Sequence, residues 1–265
     1  MTAEELLKAG HLSAAVEQLN QEVRSRPTDI QRRIFLFELL CFAGDYQRAE
    51  RQLDVLGQQS AMAEIGVQVY RHILAAEQVR QQLFSEGVQP NFLFPPPSYV
   101  HLHLEALHQL CNHQPAEAGA LLEQAQHSQP PLKGSLAGQP FTAWRDGDDL
   151  LAPFLEVIVH NQYVWLPFEQ IKHLHITTPK RLRDLLWVPA TLEAHAGPVG
   201  EVFLPVLYPD SHRHADERVK LGRMTDWTDM GAGVTRGAGQ HLFFIDGQDR
   251  GILEVQDIEF AIEVY

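Results

Sequence analysis

Residues 6–19, LLKAGHLSAAVEQL, and residues 40–53, LCFAGDYQRAERQL, carry one pattern twice. Leu6, Ala9, Gly10, Leu12, Ala15 and Leu19 fall on Leu40, Ala43, Gly44, Tyr46, Ala49 and Leu53, a spacing of 34 residues. That is the period of a helical hairpin that buries its apolar face by stacking on copies of itself. Chains built this way hold other proteins, so the pattern points to recognition and away from chemistry.

Outward from these copies, the first half of the chain has helical spacing throughout. Ala15, Val16, Leu19 and Val23 form one apolar stripe over 13–25, and Pro27 ends that helix. The next helix, 29–43, carries Ile34, Phe35, Leu36, Leu39, Leu40 and Phe42 and is apolar over most of its girth, as an inner helix packed on two sides would be. Gly44-Asp45-Tyr46 makes the turn into a helix over 46–57. A third copy is weaker: Pro115, Ala118, Leu122, Ala125 and Pro130 match Leu12, Ala15, Leu19, Glu22 and Pro27, with a first helix over 98–111 entered through Pro95-Pro96-Pro97. A long helix, about 62–86, fills the gap without matching the pattern. The expected N-terminal domain is an irregular tetratricopeptide (TPR)-like array.

The chain has 265 residues, 45% of them hydrophobic, enough for two domains or one large core. Lys and Arg number 21 against 34 Asp and Glu, a net charge of −13. Such a balance repels phosphate backbones and anionic bilayers, so neither nucleic acid nor a membrane is an expected partner. The 14 histidines soften this only at acid pH. Cys41 and Cys111 form no disulfide framework, the residues after Met1 have no basic-then-apolar signal, and no run spans a bilayer. A cytoplasmic protein is expected.

All four tryptophans, 144, 165, 187 and 227, lie in the second half. The break falls at Ser128-Gln129-Pro130-Pro131-Leu132-Lys133-Gly134, giving a helical domain over 1–130, a linker over 131–148 and an antiparallel α+β domain, small and barrel-like, over 149–265. Phe154–Val159 and Tyr163–Leu166 flank His160-Asn161-Gln162 as a hairpin. Thr178-Pro179 opens a short helix running to Trp187. Two more hairpins are expected: Thr191–Ala194 with Glu201–Leu207 across Gly197-Pro198-Val199-Gly200, and His241–Ile245 with Gly251–Val255 across Asp246-Gly247-Gln248-Asp249.

Candidate chemistry is sparse. His212, His214 and Asp216 form an HxHxD run whose spacing suits metal ligands on an extended segment, which would make a metal-dependent enzyme the alternative function; a solvated loop is the favoured reading. His101-x-His103 and His173-x-His175 are weaker, the first on a helix and the second in a strand. Gly231–Gly239 is rich in glycine but lacks the Lys-Ser/Thr pair of a phosphate loop, and a flexible turn is expected there. Asp226 and Asp229 have no evident perturbing neighbour that would make them an acid/base pair. No nucleophile elbow or HExxH motif is present, so no cofactor, metal or small-molecule substrate is expected.

Three C-terminal blocks carry a resemblance: Arg183-Asp184-Leu185-Leu186-Trp187-Val188-Pro189-Ala190, then Gly200–Ser211, then Leu221-Gly222-Arg223-Met224-Thr225-Asp226-Trp227. They resemble the signature blocks of the ImpE family, also called TagJ or SciE, an accessory component of bacterial type VI secretion systems. The likeness extends over nearly the whole chain. It implies a non-enzymatic adaptor that binds the N-terminal helix of the sheath small subunit (TssB, or VipA) and serves sheath assembly or recycling. A generic TPR scaffold with another protein partner is a further alternative.

If the TPR correspondence holds, Gln31, Ile34, Glu38 and Phe42 face the concave, partner-binding side, with packing between helix pairs an equal reading for Ile34 and Phe42. Trp187, Tyr208 and Trp227 are expected as core anchors. With Arg183, Asp184, Arg223 and Asp226 they should meet in space, and Arg223 should pair with Asp184 or Asp226, since a half-buried lone charge is costly. A rigid C-terminal platform and a mobile, gripping helical half would follow.

Overall fold

A computed structural model of the chain describes residues 1–58 and 61–261. The helical half runs α1 (Ala3–Lys8), α2 (Leu12–Ser25), α3 (Ile30–Phe42), α4 (Tyr46–Gly57), α5 (Ala61–Glu86), α6 (Val100–Cys111) and α7 (Pro115–Ser128). Thr2 and Glu5 form a capping box on α1, Asp29 and Asp45 cap α3 and α4, and Pro115 starts α7.

The sequence repeat corresponds to one cap made three times. After α1, His11 N–H donates to Leu6 O and Gly10 is left-handed at φ 86°. After α3, Asp45 N–H donates to Leu40 O with Gly44 at φ 72°. After α6, Gln114 N–H donates to Gln109 O, and His113 takes the left-handed position at φ 58°. Each bond closes the wide loop of a Schellman turn, which satisfies carbonyls the helix end leaves open. The small residues beyond each turn, Ala15, Ala49 and Ala118, are fully buried where consecutive helices meet.

The other half is antiparallel. An eight-stranded sheet has the order β2 (Gln139–Phe141), β1 (Gly134–Leu136), β13 (Asp257–Phe260), β6 (Ile171–Ile176), β7 (Trp187–Ala194), β8 (Gly197–Pro205), β4 (Phe154–Val159), β5 (Gln162–Pro167). A three-stranded sheet holds β3 (Trp144–Asp146), β11 (Leu242–Ile245) and β12 (Gln248–Gly251), and β9 (Thr225–Gly231) pairs with β10 (Val234–Gly239). A four-residue α8 spans Glu217–Lys220. Trp144 joins the sheets, its ring 5.0 Å from Phe243 and 5.4 Å from Phe260. The helix α5 lies against β5.

Segment 131–148 supplies β1, β2 and β3, because alternation in Gly134–Asp146 meets open strand edges; it is not a linker. The large sheet is linear, with β2 and β5 at its ends, and no closed barrel pairing exists among the described residues. The helix proposed to reach Trp187 is a single 3-10 turn over Leu182–Leu185, and Trp187 opens β7, where it and Val188 are buried. Three hairpin turns contract to two residues: His160-Asn161, His195-Ala196 and Asp246-Gly247. Gly197–Gly200 is paired strand with a bulge near Leu192, and Val234–Gly239 is strand, leaving Ala232-Gly233 as the turn.

Candidate functional site

Glu156 sits in Phe154–Val159, a strand whose six residues are all buried, and a carboxylate there requires a cation. Arg80 on α5 supplies it, with Nε and Nη2 donating to the two carboxylate oxygens at 2.7 and 2.8 Å. Its remaining N–H groups reach Glu77 at 2.9 Å and the carbonyl of Leu207 at 2.7 Å. Trp187 Nε1 donates to Glu77 at 3.1 Å. On the other side His241 Nε2 lies 2.8 Å from Glu156 and Nδ1 2.8 Å from Asp146. Tyr208 donates to Asp146 at 2.7 Å, Tyr163 donates to Glu156, and Arg236 bonds Asp148 at 2.7 Å.

Charge balance sets the protonation states in this chain of contacts. Burial pushes the His241 imidazolium down, but Asp146, by charge and hydrogen bond, and then Glu156 outweigh it and hold the pKa up at about 9. Burial would raise Glu156, and Arg80 overrides it, keeping the carboxyl well below the usual range. For Asp146 burial wins over His241 and its pKa rises. Such a buried network adds little net stability against an apolar replacement, yet removing one partner is expensive. Its effect is to fix how α5 seats on the sheet. These contacts tie α5 to β4 and β4 to β3, so the arrangement acts as a strut.

The residues singled out from the C-terminal blocks distribute along this seam. Arg183 Nη1 reaches Glu38 on α3 at 3.4 Å, and its guanidinium lies 4.7 Å from the Tyr70 ring centroid. Asp184 accepts from the backbone N–H groups of Lys180 and Arg181, capping its own turn. Tyr208 and Trp227 meet at 5.7 Å between ring centroids, and Trp187 and Tyr208 border one small cavity of about 30 Å³. Arg223 departs from expectation. It donates to Leu7 O at 2.7 Å and Lys8 O at 3.0 Å, and it pairs with no carboxylate among the described residues. The carbonyls at the end of α1 carry partial negative charge and spare lone pairs, and they replace the expected acid. Asp226 instead faces His214 Nε2 at 3.1 Å, and Asp229 caps the Gly231 N–H.

The HxHxD residues diverge. His212 lies against Tyr46, His214 turns to Asp226 while its Nδ1 accepts from Asp216 N–H, and Asp216 caps α8 and pairs with Arg218. Among the described residues no three His, Cys, Asp or Glu side chains converge on a metal-sized point. His103 is buried between Leu150 O and the Gln129 amide, His101 is exposed, and His173 and His175 both approach Asp257.

Of the four residues expected to face a partner, Glu38 and Phe42 are buried against the sheet half, Ile34 is half-buried and Gln31 is exposed. The inner row of α3 is therefore used inside the molecule, because the C-terminal half fills that side. What stays open is an apolar groove of about 220 Å³ where α3, α4 and α5 meet, floored by Ile34, Phe37, Leu53, Leu56, Val67 and Tyr70. Arg181 and Arg183 stand at it as its charged residues, and Ile30 beside it is 44% exposed. Sequence inspection missed the buried network, for which Glu156 inside an apolar strand was the one signal, and missed the groove's α5 wall.

These features define a helical-hairpin array docked through a buried ion network onto an antiparallel sheet, with an apolar groove left open on the helical side. The family model described as ImpE protein matches residues 138–259. The type VI secretion system accessory component TagJ of Pseudomonas aeruginosa is 37% identical over 260 residues, covering 98% of this chain and 91% of that protein. The chain belongs to the ImpE family. Its fold matches the X-ray structure of protein VPA1032 from Vibrio parahaemolyticus, with a TM-score of 0.91 at 23% identity over 99% of this chain and 98% of that one. No described helix is long and apolar enough to cross a membrane.

Proposed function

We propose that this protein is a non-enzymatic adaptor of a type VI secretion system that binds the N-terminal helix of the sheath small subunit and assists sheath assembly or recycling in the cytoplasm. The likeness to TagJ over nearly the full chain carries this reading. The groove between α3, α4 and α5 supports it, since an amphipathic helix buries its apolar face in such a trough. Ile34 lines that groove and Gln31 is exposed on the same helix, so both remain candidate contacts, whereas Glu38 and Phe42 act on the inside, positioning α3.

Titrating a peptide of the sheath small subunit's N-terminal helix into the purified protein tests the proposal. We expect a dissociation constant below about 100 micromolar, a binding free energy stronger than roughly −5.5 kcal/mol. No detectable binding at that concentration, by the peptide or by the intact subunit, overturns it.

A further inference from the structure

Gly66 has no structural reason to be glycine within this chain. It lies inside α5 with helical backbone, and a β-carbon built on it meets nothing within 4 Å. Every other described glycine either has a left-handed φ or would press a β-carbon against a neighbour. Glycine inside a helix is disfavoured against alanine, because the backbone loses more freedom on folding. Gly66 also lines the apolar groove, one turn before Tyr70.

A second observation lies in the same groove. Arg181 is exposed and forms no ion pair among the described residues, in a chain of net charge −13. Arg183 shares only one N–H with Glu38, and its Nε is buried without a hydrogen-bond partner. The groove thus joins an apolar floor, a bare stretch of helix and surplus positive charge.

We propose that the partner's amphipathic helix crosses α5 directly over Gly66, and that it carries a carboxylate positioned to meet Arg181. This rests on the adaptor reading above and adds the contact point and the chemistry of the bound face. Interhelical distance is set by the side chains at the crossing, and glycine permits the closest approach. A small residue on the partner helix at that point, with apolar residues three and four positions away, fits the floor.

Titration calorimetry with the sheath small subunit's N-terminal helix peptide against the wild-type protein and Gly66→Ala, Gly66→Leu and Arg181→Glu variants tests this, with a melting curve for each. We expect Gly66→Ala to melt no lower than the wild type yet bind at least threefold more weakly, and Gly66→Leu to lose tenfold or more. Arg181→Glu should weaken binding several-fold at low salt, with the difference shrinking at high salt. Gly66 variants that bind as tightly as a wild type that does bind overturn the crossing at Gly66 and leave the adaptor reading standing. A wild type that binds neither the peptide nor the intact subunit overturns both.

Discussion

The imidazole of His212 fills the space in which a β-carbon on residue 44 would stand, so a repeat glycine of the helical half is the seat for a loop of the sheet half. The first repeat glycine borders the same segment without overlap: a β-carbon on Gly10 would lie in ordinary contact, 3.7 Å from an Arg223 nitrogen and 3.8 Å from the Arg218 side chain. Both turns therefore face the 211–223 segment. The repeat that suggests an open array of hairpins is, in this chain, also a docking edge for its own C-terminal half.

Gly44→Ala meets two penalties, the left-handed φ of 72° and the overlap with His212. The backbone part costs about 1–2 kcal/mol. We expect a larger total loss in the wild-type background, and only the backbone part in a His212→Ala background. Urea unfolding of the four proteins measures the difference; equal costs in both backgrounds would show that His212 does not press on the turn.

Arg80→Met strands Glu156 and Glu77 in the interface, and we expect a loss of about 3–5 kcal/mol. Adding Glu156→Leu should cost far less than that change alone, because the pair acts as a unit. Chemical denaturation of both singles and the double gives the coupling. Additive losses would mean that the bond between α5 and β4 has little influence on docking.

Stability should depend on pH through two histidines with opposite signs. His241 is held at about 9, above an unfolded value near 6.5, so the folded form binds the extra proton. Its contribution is complete below pH 6.5 and is lost as pH rises through about 9. His103 is pushed by burial down to about 4, so its contribution is present above pH 6.5 and is lost as pH falls through about 4. Melting temperatures across this range should fall on both sides, and His241→Gln should flatten only the alkaline side. An unchanged alkaline limb in that variant would contradict a protonated His241.

Arg223→Ala removes two donors from the end of α1, and we expect a loss of about 1–2 kcal/mol felt first at α1. Amide exchange should quicken at Ala9 and Gly10, whose N–H groups bond the carbonyls of Glu5 and Leu7. Faster exchange confined instead to β9 would place the residue in the sheet network, as the sequence suggested.

Local backbone chemistry was the legible part. Gly10 and Gly44 announced their caps because glycine tolerates a positive φ, whereas the third cap uses His113 and its copy was correspondingly faint. Asp246-Gly247 announced a turn for the same reason, but His195-Ala196 did not, and the prolyl-glycyl run at Gly197–Gly200 drew the turn into what is paired strand. Thr178-Pro179 carried a sound helix-start signal that the burial of Trp187 in β7 overrode. Long-range partnership was hidden. Arg80 and Glu156 lie 76 positions apart, and nothing in periodicity tells a charged residue which element will meet it. For Arg223 the expected acid was a helix end, an acceptor that no residue name records.

Hydrogen exchange of the protein with and without the sheath small subunit's N-terminal helix peptide tests the central claim most directly, because it reports where the partner lies without altering a residue. We expect new protection in Ile30–Phe37 and in 61–70, the walls of the groove, with little change in the 211–223 segment. Protection confined to that segment or to the sheet, with α3 and α5 unchanged, would contradict the claim that this groove holds the partner.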